Sequence, residues 1–124
     1  MKLLQVYSSN AIWSKLTGMR LSPKMAYDVL KYAKLVFAEY DIVEKTRVAL
    51  IHEITDTREG ESASIEPGTP SHTEYVERFS ATLDIESDLK PSALKFDALI
   101  ADLDARCNAL TIQEIAALES FFAE

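Results

Sequence analysis

Glycine is scarce in this chain. Only Gly18, Gly60 and Gly68 occur in 124 residues, too few to write a phosphate-cradling loop of the dinucleotide or nucleoside-triphosphate type. Cysteine occurs once, at Cys107, which excludes an intrachain disulfide and suits a reducing cytoplasm. The two histidines, His52 and His72, fall short of the three or four ligands that a zinc site needs, and His52 has only Asp56 at helical spacing to help it. No apolar run approaches the roughly 18–20 residues that cross a bilayer. The opening, Met1–Tyr7, turns polar before a signal-peptide core could form, so neither export nor a membrane partner is expected.

Basic charge is scarce where acidic charge is dense. Residues 1–22 carry three positive side chains and no negative ones, residues 23–54 carry five of each, and residues 55–124 carry five positive against fifteen negative. The net charge of −7 therefore sits in the C-terminal part, which disfavours direct nucleic-acid binding through phosphates. That part could instead mimic a polyanion and inhibit a host nucleic-acid-binding protein.

What is present is helical patterning in one domain, residues 1–124. Ser22-Pro23 opens a segment with no glycine or proline from Lys24 to Glu59, whose apolar residues (Ala26, Val29, Leu30, Ala33, Val36, Phe37, Tyr40, Val43, Leu50, Ile51, Ile54) follow one helical face. This predicts a helix of about 30 residues, roughly 45 Å long. Residues 55–70 are polar and broken by glycine and proline, the signature of a flexible connection. Ser71 and Glu74 have capping-box spacing ahead of Tyr75, Val76, Phe79 and Leu83, which predicts a helix folding back antiparallel on the long one. Thr111 and Glu114 form a second box, ahead of a closing helix with Ile115, Leu118, Phe121 and Phe122 on its apolar face. Near the start, Ser8, Ser9 and Asn10 offer caps for a short helix that Gly18 would end in the left-handed conformation. The fold class expected is mainly α: a long central helix in an antiparallel hairpin, shorter flanking helices, and residues 2–6 and 92–96 as candidates for a minor two-stranded β element.

No catalytic, cofactor-binding or metal-binding residues can be assigned. Asp84, Glu86 and Asp88 alternate, but a calcium loop starting at Asp84 would need glycine and glutamate where Leu89 and Lys95 stand. They read as a solvated acidic stretch, with a weak cation site, and through it a metal-dependent enzyme, as the alternative. Cys107 has no histidine spaced to activate it and reads as a small buried hydrophobe. Trp13, Phe121 and Phe122 read either as core or as interface anchors. Met25, Tyr32, Leu35 and Ile42 lie off the main face of the long helix, as a helix covered on two sides would have them. These seven residues make a candidate interface, and the partner they imply is a second copy of the chain, a dimer being favoured, together with an unidentified protein.

Two stretches carry a resemblance. Leu16-Thr17-Gly18-Met19-Arg20-Leu21-Ser22-Pro23-Lys24-Met25-Ala26-Tyr27 and Leu110-Thr111-Ile112-Gln113-Glu114-Ile115-Ala116-Ala117-Leu118-Glu119 resemble a family of uncharacterised small proteins of tailed bacteriophages and prophages, with Ile112 standing where the family pattern has proline. The two-sided long helix, together with the missing catalytic set, leads us to expect a non-enzymatic protein that acts in assembly or in contact with a host protein. The resemblance covers about half the chain and implies a phage or prophage origin, and with it the host cytoplasm. It supplies no catalytic residues.

Overall fold

The computed structural model describes residues 1–58 and 60–123, so Glu59 of the expected polar connection and Glu124 lie outside the described residues. The chain is mainly α-helical. In order it forms α1 (Leu3–Thr17), α2 (Pro23–Thr55), α3 (Pro70–Leu83), β1 (Ser92–Lys95), α4 (Phe96–Ala105), α5 (Ile112–Glu119) and β2 (Phe122–Ala123).

The long helix is continuous over 33 residues. Pro23 at its first position fixes φ where a missing N–H does no harm, and the N–H of Ser22 donates to Asp102 Oδ2 at 2.9 Å. At about 1.5 Å per residue α2 spans roughly 50 Å, whereas the 15 residues of α1 span roughly 22 Å. One neighbour therefore covers less than half of it. As α1 advances, its contacts step back along α2, from Tyr7 against Tyr40 and Glu44 to Trp13 against Tyr32, so the two helices are antiparallel. Farther along, Arg78 of α3 pairs with Glu53, Ser87 donates to Glu39, and the Tyr32 hydroxyl donates to the Lys90 carbonyl at 2.7 Å.

The core gathers at the N-terminal half of α2. Val6, Trp13 and Leu16 from α1 meet Val29, Tyr32, Ala33 and Val36 from α2, closed by Leu99, Leu103, Leu118, Phe121 and Phe122. Trp13 is the hub: its ring lies 5.1 Å from that of Tyr32, 5.7 Å from Phe121 and 5.9 Å from Phe122. Phe121 and Phe122 are not on the closing helix as expected, because α5 stops at Glu119 and both rings fold inward from the segment after it.

The start of the chain also departs from expectation. Residues 2–6 are not a strand: the helix begins at Leu3, whose N–H donates to the Ile85 carbonyl at 2.9 Å, and only Lys2 bridges Glu86. Ser8, Ser9 and Asn10 are thus interior to α1, and Gly18 has φ −92°, in the right-handed region. The β pairing is instead parallel, Ser92 opposite Phe122 and Lys95 opposite Ala123. α3 starts earlier than the Ser71 box implied, since Thr69 is the cap and accepts from the His72 N–H at 3.2 Å, with Pro70 following. The Thr111–Glu114 box forms in both directions, at 2.9 and 3.1 Å.

Two helices close on a left-handed residue that is not glycine. After α2, Thr57 N–H donates to the His52 carbonyl and Asp56 N–H to Glu53. After α4, Asn108 donates to Leu103 and Cys107 to Asp104. Both are Schellman closures that force the turning residue to positive φ, 53° at Asp56 and 57° at Cys107. Asp tolerates that region better than Cys. Cys107→Gly is therefore expected to stabilise the fold by roughly 0.5–1 kcal/mol, and Cys107→Val to destabilise it, in scanning calorimetry.

Candidate interaction surface

The inner face of α2 buries Val29, Tyr32, Ala33, Val36, Val43 and Leu50. At 100° per residue Tyr27 lies opposite that face, Leu35 and Ile42 lie about 100–120° round on one flank, and Leu30 and Val48 lie about as far round on the other; Tyr27, Leu35 and Ile42 are 62, 52 and 60% exposed. Leu35, Ile42 and Ala49 recur every seven residues, and exposed Ala38 lies between the first two, so they form one stripe. Exposed Lys31, Lys34, Asp41 and Lys45 border it. Lys45 pairs with Asp41 at 3.1 Å, and Lys24 with Asp28 at 3.0 Å. Toward the C-terminal end an open groove of about 530 Å³, lined by Glu44, Lys45, Val48, Ala49 and His52, continues the stripe.

A polar network beside that groove fixes α2 against its neighbours. Arg47 donates to both oxygens of Glu44 at 3.0 Å, and the Tyr7 hydroxyl donates to the same carboxylate. Hydrogen bonds from Arg47 first, and then from Tyr7, hold the Glu44 carboxyl below its ordinary range. Burial, and then the bond to Glu44, pushes Tyr7 up to about 12. Hydrogen bonds to Glu44 and then to Tyr75 raise Arg47. Tyr7 also stacks on Tyr40 at 5.0 Å and meets the edge of Phe79 at 5.7 Å, so the cluster ties α1, α2 and α3 together.

Of the seven candidate interface residues, Trp13, Tyr32, Phe121 and Phe122 are corrected to core: each is at most 6% exposed and packed among the others, so none can anchor a partner on this surface. Met25 is half-buried against the same core. Leu35 and Ile42 face outward. Tyr27, which borders their surface, and Val48, which lies farther round beside Ala49 in the groove, are exposed too and were missed.

The remaining chemical candidates separate. His52 Nδ1 contacts Thr57 Oγ1 at 2.6 Å, at the end of α2. The acids at 84, 86 and 88 are exposed, as a solvated stretch would be, and two of them have cationic partners: Asp84 pairs with Lys2, and Glu86 with the amino group of Met1 at 3.3 Å. Glu114 likewise pairs with Lys15 at 2.9 Å, so the basic N-terminal residues partly neutralise the acidic C-terminal part. Cys107 is exposed rather than buried, because the Schellman turn carries it outward from α4. Among the described residues, no three of His, Cys, Asp and Glu are grouped so as to hold a metal ion, and no helix is long and apolar enough to cross a membrane. A wider open hollow of about 680 Å³, where the start of α4 meets the end of α5, mixes Lys95 with Asp97 and Glu119.

Comparison of the chain with family models, with curated proteins and with solved structures returns no match.

Proposed function

We propose that this is a non-enzymatic interaction protein that self-associates through the outer face of α2, of a kind with the small phage and prophage proteins its two ends resemble, and that it serves in assembly or in contact with a host protein. The observation that carries the reading is the alignment of Leu35 and Ile42, seven residues apart and both more than half exposed on one flank of an unbroken helix, with exposed Tyr27 beside them. Single exposed aliphatic residues are ordinary, and it is their alignment over several turns that marks a contact surface. The polyanion-mimic reading is less favoured, since Asp84, Glu86 and Glu114 already have cationic partners within the chain.

Leu35→Glu with Ile42→Glu tests it. Both side chains point to solvent, so helicity and melting are expected to stay near those of the parent protein. Sedimentation equilibrium from about 1 to 200 µM is expected to return a dimer for the parent and a monomer for the variant. A parent that stays monomeric over that range defeats the proposal.

A further inference from the structure

A second copy can lie along α2 in two directions, and the charges beside the stripe distinguish them. Asp28, Leu35, Ile42 and Ala49 recur at one seam position, while Lys24, Lys31, Ala38, Lys45 and His52 recur three residues later in each repeat. In a parallel pair each residue faces its own copy. Lys24, Asp28, Lys31 and Lys45 would each meet their own copy, four like-charge contacts around only two large aliphatic layers.

Running the second copy the other way changes every contact. With Leu35 level with the partner's Ala38, the same register sets Ile42 on the stem of the partner's Lys31 and Asp28 opposite the partner's Lys45, each contact occurring twice by symmetry. On the flank, Lys34 comes within about a helical turn of the partner's Asp41. A helical side chain leans toward its own N-terminus, which in this arrangement is the partner's C-terminal direction. Tyr27, 62% exposed, then falls on the groove formed by the partner's Val48, the partner's Ala49 and the partner's His52. An exposed aromatic and an apolar groove at positions that one two-fold axis exchanges are what a self-complementary surface requires.

We infer that the protein forms an antiparallel two-fold dimer along α2, its register set by Leu35 over Ala38 and Asp28 over Lys45, with Tyr27 of each copy seated in the Val48–Ala49–His52 groove of the other. This rests on the proposed self-association and adds its direction and register.

Two measurements on the full chain, with Cys107→Ser removing the native thiol, test it. Spin labels at Thr46→Cys are expected about 30 Å apart in this register, from the helical rise, and within about 15 Å in a parallel pair. Lys45→Glu alone, or Asp28→Lys alone, is expected to weaken dimerisation by on the order of tenfold, and the two together to restore it, because the double exchange re-forms the pair only across an antiparallel seam. A short label distance, or a double variant no tighter than the singles, overturns the antiparallel register while leaving the contact face in place. A parent protein that is monomeric at every concentration overturns both.

Discussion

Trp13→Ala is expected to lower the unfolding free energy by about 3–5 kcal/mol, the range for deleting a large buried aromatic side chain. Trp13 is fully buried and touches rings from two other parts of the chain, Tyr32 in α2 and the Phe121–Phe122 pair beyond α5. Removing it opens a cavity that no single neighbour can fill and unties the end of the chain from α1. Against the roughly 5–15 kcal/mol available to a domain, this brings the variant close to unfolding at ambient temperature. Trp13→Phe should behave differently. The indole Nε1 is a buried donor with no hydrogen-bond partner among the described residues, so phenylalanine removes an unsatisfied group along with some volume. The two effects oppose each other, and a net cost of about 0–1.5 kcal/mol is expected. Urea titrations followed by circular dichroism compare the two variants. An alanine variant with an unchanged midpoint would show that Trp13 does not organise the core.

The features legible in the sequence are those whose causes are local. α2 is legible because nothing between Pro23 and Thr55 can interrupt a helix, and the start of α5 is legible because Thr111 and Glu114 satisfy each other's backbone groups across three residues. What was missed has non-local causes. α1 starts at Leu3 because Ile85, more than eighty residues away, accepts its N–H. The parallel pairing of β1 with β2 joins segments that no turn connects. The left-handed turns after α2 and α4 were hidden for another reason: Asp56 and Cys107 take the position that glycine would have announced.

The candidate surface was half legible for the same reason. Leu35 and Ile42 could be picked out because they fall off the main apolar face of one helix, which is a matter of spacing alone. Trp13, Phe121 and Phe122 could not be assigned from spacing. A large aromatic on an apolar face has the same pattern whether its cover is its own chain or a partner, and only the convergence of three distant segments makes it core.

Two tyrosines dictate how the fold should fail in alkali. Burial pushes Tyr32 up to about 12, and burial together with the bond to Glu44 pushes Tyr7 up to about 12, both from an ordinary value of 10.0. In each case the folded chain holds the phenolic proton more tightly than the unfolded chain does. The resulting stability is fully present below pH 10 and is lost as pH rises from about 10 through 12. Two pKa units correspond to about 3 kcal/mol for each group, so together they contribute on the order of 5 kcal/mol to the fall. The exposed ion pair of Lys2 with Asp84 adds a loss of the same sign, since hydrogen bonding and attraction to Asp84 raise that ammonium as well. Tyr32→Phe and Tyr7→Phe separate the contributions. Each is expected to cost about 1 kcal/mol at neutral pH through its lost hydrogen bond, and each should flatten the decline between pH 10 and 12 by about one proton. The double variant should become the more alkali-tolerant protein at the top of that range, despite being the less stable one at pH 7. Stability from urea titrations at half-unit steps decides the point, because a decline equally steep in the double variant would mean that neither phenol is held neutral by the fold.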